Sequence, residues 1–254
     1  MSCVSTAIHD SIATITLGRT ERRNALDEEM LRDIGEALVA VSSDPGVAVI
    51  VLRADGPAFT VGGDLQMFVE AGADSHDLLL RVGKYINPGV AALHASSAIS
   101  IAAVHGAVAG GGIGFMAACD VVLAAEGTTF ALGYSAIATT PDAGTSYFLT
   151  RDIGYRRALE LYLTNRRFDA REACDMGLVN RVVAPDELEA AALGLAQQLA
   201  GGPREALAAG KRLFRQAAHV SLEHQLEDEI TTFATNARAP QFAQRVAAFL
   251  ATTN

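Results

Sequence analysis

Tryptophan is absent from this 254-residue chain, and aromatic residues make up only 6% of it. Stacking platforms for nucleobases would therefore be sparse. Positive charge is also short: 20 Lys and Arg stand against 29 Asp and Glu, for a net charge of −9. Phosphate-backbone binding needs a basic face, so nucleic acid is not expected as a partner, although a few local cations could hold a small anion. Three scattered cysteines, Cys3, Cys119 and Cys174, form no CxxC or Cys/His spacing. That pattern suggests a reducing cytoplasm and no structural metal. Cys119 reads as a small core residue. No run of about 18 apolar residues is present, so no membrane helix is expected. The opening MSCVSTAIHD has neither a basic start nor an apolar signal core.

What is present suits one large globular unit, because half of the residues are hydrophobic. SIATITL (11–17) alternates and predicts a strand. Asp27 followed by Glu28 and Glu29, then Met30, Leu31, Ile34 and Leu38, predicts a capped amphipathic helix to about Ser42. VAVIVLRA (47–54) has the continuous β-branched character of a strand buried on both faces. Further strands are expected at 100–106, 121–126 and 128–133, with one more strand-like segment at 178–184. This β-turn-α-β rhythm indicates an α/β fold. After Thr145 the chain is mostly helix-forming, and Gly201-Gly202-Pro203 marks a break. The expected organisation is a core over 1–195 carrying the site and a helical region over 196–254, whose apolar faces could pack on neighbouring copies.

Two glycine clusters and one isolated acid stand out. Gly62-Gly63 lies in AFTVGGDL, and Gly110-Gly111-Gly112 lies between a strand and an apolar helix. Bare backbone N–H groups at a helix start can hold an oxygen that becomes anionic during a reaction. Losing one donor of this kind costs about 3–4 kcal/mol of transition-state stabilisation. The same glycines could equally serve close packing. GIGFMA (112–117) formally matches a dinucleotide fingerprint, but no acid follows at the end of the next strand, as that motif requires. The isolated acid is Asp142, the one charged side chain between Glu126 and Arg151. If buried, its pKa should rise, which suits a proton-transferring group. Alternatively, PDAGTS would let it cap a helix or make an Asx turn.

Together, NAL (24–26), the VIVL strand, AFTVGGDL, AAVHGAVAGGGIG, CDVVLA and PDAGTSYFLTRDIGYRRALELYLTNRRFDAREACDMGLVNRVV resemble the enoyl-CoA hydratase/isomerase (crotonase) superfamily. The resemblance runs from about residue 10 to 250 in preserved motif order. It implies a spiral of β-β-α units with a C-terminal helical trimerisation region, and a homotrimer or a hexamer as a dimer of trimers. It implies an acyl-CoA thioester as ligand, with coenzyme A part of the substrate and no separate cofactor. The backbone N–H groups of Gly63 and Gly111 would stabilise an enolate. Arg22, with Arg23 beside it, would face the adenosine phosphates. Ala25 and Leu65 would line the adenine and pantetheine channel, and Gly62, Asp64, Gly110 and Tyr134 would complete the substrate site.

The acids depart from the pattern of hydratases. Their first Glu position is Gly114 here and their second is Tyr134, which leaves standard water addition without its two carboxylates. Asp142 matches a third acid position, used by a phenylacetate-pathway isomerase, by dienoyl-CoA isomerase and, as a nucleophile, by 4-chlorobenzoyl-CoA dehalogenase. The dehalogenase's helper His position maps near Ala91; His94 is a candidate to reach the site, and His105 reads as structural. Lys211, Arg212 and Arg215 form a basic helical face that could serve CoA or pair with acids such as Glu205. The expected activity is enoyl-CoA double-bond isomerisation with Asp142 as proton shuttle. The alternatives are a hydratase with atypical acids, an Asp-nucleophile dehalogenase or thioesterase-like hydrolase, and a non-catalytic acyl-CoA-binding protein.

Overall fold

The computed structural model describes residues 3–252. Strands β1 (Val4–His9) and β2 (Ile12–Leu17) pair antiparallel around Asp10 and Ser11. Both turn residues have positive φ, 47° and 65°, as a tight two-residue hairpin requires. β1 was not anticipated from sequence. It is an edge strand with Val4 alone buried, so it lacks a hydrophobic signature. Helix α1 (Glu28–Ser43) starts where expected: the Asp27 carboxylate accepts from Met30 N at 2.9 Å.

The chain then runs through β3 (Val49–Ala54), α2 (Leu65–Ala71), α3 (Ser75–Ala95), β4 (Ile99–Val104), β5 (Ala107–Ala109), α4 (Gly111–Ala117), β6 (Val121–Ala125) and β7 (Thr129–Ala131). It continues through α5 (Thr145–Asp152), α6 (Tyr155–Thr164), β8 (Phe168–Asp169), α7 (Ala170–Met176) and β9 (Arg181–Val183). Helices α8 (Leu188–Ala200), α9 (Arg204–Gln216), α10 (Leu222–Asn236) and α11 (Pro240–Thr252) follow.

The strands form two sheets. The larger has the order β1-β2-β3-β4-β6-β9, parallel beyond the first hairpin; the smaller has the order β5-β7-β8. Each pass through the large sheet is followed by a segment in the small one. β4 leads to β5 and β6 leads to β7, while β3 leads to Thr60, which bridges to Val108. β2 in turn leads to Leu26, bridged to Gly63. The successive turns therefore stack as a spiral, and loops distant in sequence meet at one edge.

Alternation within the large sheet separates two cores. Ile50 and Leu52 face a cluster with Met30, Ile34, Leu38 and Leu93, whereas Val49 and Val51 face Leu188, Ala192 and Ala196 of α8. α8 thus spans residue 195 and covers the outer sheet face. α1 and α3 cross at a glycine pair: a Cβ on Gly89 would lie 2.8 Å from Gly35 Cα.

The basic face of α9 does not pair with Glu205. Lys211 and Arg215 both bind Asp120, each at 2.7 Å, and Arg212 binds Asp228. Asp120 also accepts from Ser100 N and Oγ, which locks α9 to the starts of β4 and β6. By contrast, α10 leaves a stripe largely uncovered: Leu222, Leu226, Ile230 and Phe233 are 68%, 54%, 64% and 64% exposed, although Phe233 packs edge-on against Phe242. Among the described residues, no helix is long and apolar enough to cross a membrane.

Candidate active site

The spiral brings three loops together, and side chains on two of them hold the third. Asn24, fully buried, donates to Asp55 O and Ala58 O at 2.9 and 2.8 Å. Thr60 Oγ1 donates to Asn24 O at 2.6 Å and accepts from Gly62 N at 3.0 Å. Thr60 also bonds along β5, accepting from Ala109 N and donating to Ala107 O. The Gly62-Gly63 loop is thereby pinned against the Gly110 loop. Gly62 and Gly110 adopt φ of 87° and 52°, where a side chain would be strained. A Cβ on Gly62 would also lie 3.1 Å from Ala109 O, and one on Gly110 would lie 3.9 Å from Gly63 N. The glycines therefore do serve close packing, and that packing creates the site.

Two backbone donors remain unused here. Gly62 N is bound to Thr60, and Asp64 N donates to Leu26 O at 3.0 Å. The N–H between them, that of Gly63, has no protein acceptor among the described residues. The same holds for Gly111 N, the first residue of α4, whose helix position offers no intrahelical partner.

Asp142 completes the group. A Cβ on Gly111 would lie 3.2 Å from Asp142 Oδ1. The same oxygen accepts from the Tyr134 hydroxyl at 2.7 Å. The expectation of a buried Asp142 needs correction: the residue as a whole is exposed. Its Oδ1 edge is turned inward onto buried Tyr134, and protein packed on that side still raises the carboxyl pKa, with the Tyr134 hydrogen bond opposing. Burial, then the nearby Asp142, pushes the Tyr134 hydroxyl further above its usual range, so it remains a donor. The helix-cap alternative for Asp142 is overturned. α5 begins after Gly144 with no side-chain cap, and Thr145 N bonds the backbone oxygen of Asp142.

At Gly114, a Cβ would lie 2.4 Å from Ala143 O and 2.8 Å from Thr145 Oγ1. The loop carrying Asp142 occupies the space that a side chain on α4 would need. A Glu at 114 and the present course of the Asp142 loop are mutually exclusive.

Arg22 lies beside Asp64 instead of standing free. It donates to both carboxylate oxygens, at 3.2 and 3.1 Å, and Arg19 adds a third bond at 3.0 Å. Burial raises the Asp64 carboxyl, but the Arg22 and Arg19 bonds outweigh it and hold it below the usual carboxylate range. Arg19 was not a candidate from sequence, since an Arg after a strand carries no distinguishing signal. Arg23 is exposed, and while its backbone bonds Thr20 O and Val61 N, its side chain makes no hydrogen bond or ion pair among the described residues. Ala25 is buried, while Leu65 is 55% exposed at the first turn of α2.

His94 does not join Asp142. Its ring packs edge-on against Tyr147 and Phe148, and it lines a separate cavity of about 580 Å³ with Lys211 and Arg215. Burial, with Arg215 and Lys211 assisting, lowers its pKa. His105 is structural, bonded through Nε2 to Gly56 O at 2.8 Å. Burial pushes the Cys119 thiol up to about 12. Among the described residues, no group of three His, Cys, Asp or Glu side chains could hold a metal ion.

Comparison with known proteins places this geometry among relatives. A family model described as enoyl-CoA hydratase/isomerase matches residues 7–254. The chain is 33% identical to 4-chlorobenzoyl coenzyme A dehalogenase-2 from Arthrobacter sp, over 94% of this chain and 87% of that one. It is 30% identical to 1,2-epoxyphenylacetyl-CoA isomerase from Escherichia coli K12, over 99% and 96%. A crystal structure of an enoyl-CoA hydratase from Polaromonas sp. JS666 superposes with a TM-score of 0.90 at 30% identity, covering 98% of this chain and 97% of that one.

Proposed function

Since the chain belongs to the enoyl-CoA hydratase/isomerase family and has the crotonase fold, we propose that it moves the double bond of an enoyl-CoA thioester. One observation carries this reading: a single carboxylate, Asp142, beside two unused backbone donors, Gly63 N and Gly111 N, with glycine and tyrosine where a hydratase would carry its acids. The two N–H groups hold the thioester oxygen. Asp142 removes a proton from C2 of a 3-enoyl thioester, and the freed electron pair moves onto the carbonyl oxygen as an enolate. Returning the proton to C4 yields the 2-enoyl product with no net change in oxidation. One base suffices, because it is regenerated, whereas water addition also needs a second group to activate the water. Arg23 and the Arg22–Asp64 pair are suited to the adenosine phosphates. Ala25, Gly62, Gly110 and Leu65 shape the path of the pantetheine arm.

A panel of 3-enoyl- and 2-enoyl-CoA esters in deuterated buffer, read by mass spectrometry, tests this. Deuterium uptake by wild type and none by Asp142→Ala is expected. Uptake that survives in Asp142→Ala removes Asp142 from the mechanism, and a mass gain of one water redirects the reading to hydration. No turnover of any enoyl ester leaves the aryl-thioester chemistry or a non-catalytic acyl-CoA-binding protein.

A second reading is favoured by the 33% identity to 4-chlorobenzoyl coenzyme A dehalogenase-2. Asp142 would then attack an aryl carbon, chloride would leave, and water would cleave the resulting ester. Oxygen from labelled water would appear in Asp142 after a single turnover of a 4-chlorobenzoyl thioester; unlabelled Asp142 excludes it. The uncovered α10 stripe supports association into a homotrimer or a dimer of trimers.

A further inference from the structure

We infer that Thr145 is a positioning residue that acts through Tyr134: the two hydroxyls form a one-directional chain that fixes the Asp142 carboxylate and leaves its Oδ2 for substrate. This rests on reading Asp142 as the base. The buried Tyr134 hydroxyl has two oxygen neighbours, Asp142 Oδ1 at 2.7 Å and Thr145 Oγ1 at 3.1 Å. It has one hydrogen to give. An ionised carboxylate accepts only, so the hydrogen goes to Asp142. The Tyr134 oxygen can then accept the hydrogen of Thr145. Thr145 is fully buried, and its hydroxyl has no other partner among the described residues. Among the described residues the side-chain hydrogen bond to the Asp142 carboxylate is taken by Oδ1, and the residue is otherwise exposed, which leaves Oδ2 for a ligand.

The backbone is bent to make this arrangement. Ala143 and Gly144 take φ of 47° and 80°, which curls Thr145 back beneath Asp142 and closes the Thr145 N to Asp142 O bond at 2.8 Å. A left-handed alanine is costly and persists only where its surroundings enforce it. Gly114 leaves the space that Thr145 Oγ1 occupies. Among the described residues no charged side chain hydrogen-bonds or ion-pairs with the carboxylate: α4 presents Gly111 and the segment after β7 presents Tyr134.

The test uses the full-length protein and variants Tyr134→Phe, Thr145→Val, Thr145→Ser and Tyr134→Phe/Thr145→Val. The Asp142 carboxyl is titrated by infrared difference spectroscopy, with Asp142→Asn as the blank. Tyr134→Phe is expected to raise its midpoint, because the bond it removes favours the ionised form. Thr145→Val raises it less, Thr145→Ser restores it, and Thr145→Val has no further effect once Tyr134 is Phe. Where the isomerase assay reports turnover, kcat falls roughly tenfold in Tyr134→Phe with KM unchanged, as loss of one hydrogen bond to a charged group implies. A midpoint unmoved by Tyr134→Phe overturns the chain. So does a Thr145→Val effect equal in both backgrounds, which would be local packing alone. If Tyr134→Phe does not fold, the Val and Ser pair decides: equal midpoints reject the inference. The titration needs no turnover, so an inactive enzyme would sink the isomerase reading while the midpoints still decide whether the two hydroxyls fix the carboxylate.

Discussion

Asp142 is held in its loop by competing forces, and its titration should show both. Burial of one edge raises its pKa and the Tyr134 bond opposes that rise. As a base it must be ionised, so kcat/KM should fall as pH drops through a midpoint above the ordinary Asp value of 3.8. Stability has the opposite sense. A carboxyl with a raised folded pKa contributes stability below its unfolded pKa, and that contribution is lost as pH rises through the folded value. Asp142→Asn should therefore be at least as stable as wild type at pH 7, with its advantage vanishing on acidification, while activity is lost at every pH. Thermal melts at pH 4 and pH 7 check this; a wild-type advantage at pH 7 would contradict the stated environment. Gly114 makes a second prediction at this scale. Gly114→Ala should cost about 1–3 kcal/mol by overpacking, since its Cβ meets the Ala143 backbone. Denaturant melts measure it. Asp142 was legible because it interrupts a long uncharged stretch. Thr145 was not, since a threonine opening a helix is ordinary until the left-handed turn before it is known.

Among the elements, α1 was readable from its cap and its apolar spacing, and β3 from its β-branched run. β5 and β8, of three and two residues, were not, because strands that short carry no period. They exist because the small sheet pairs them once the spiral has brought them together. Lys211, Arg212 and Arg215 were legible as a helical face, but their partners were not: Asp120, which meets Lys211 and Arg215, is about 90 residues away, and Arg212 turns to Asp228 on the next helix. Lys211 and Asp120 are nearly buried, with side chains 6% and 15% exposed. Asp120→Ala would leave Lys211 and Arg215 without their carboxylate and should destabilise by about 3–5 kcal/mol. Urea melts test this. A loss below 1 kcal/mol would mean that the clamp between α9 and the sheet is dispensable.

For the whole molecule, the α10 stripe is the main feature that a single copy leaves unexplained. Four large apolar side chains at helical spacing, all more than half exposed, favour association. A charge in the middle of the stripe, Ile230→Glu, is expected to lower the mass in light scattering towards that of one chain. Unchanged mass would locate the contact elsewhere.

The sequence by itself determined the α/β class, the capped first helix, the two glycine clusters and the lone carboxylate, because each is written in local spacing or in contrast with neighbouring residues. Through its resemblance it also pointed to the family and to the missing hydratase acids. Only the tertiary structure decided that the Gly62-Gly63 and Gly110 loops touch, that Gly63 and Gly111 keep unused N–H groups, and that Arg22 shares Asp64 with Arg19. It also decided that His94 packs away from Asp142 and that Tyr134 and Thr145 converge beneath it. Each of these depends on the stacking of spiral turns, which joins residues tens of positions apart and leaves no periodic trace in the chain.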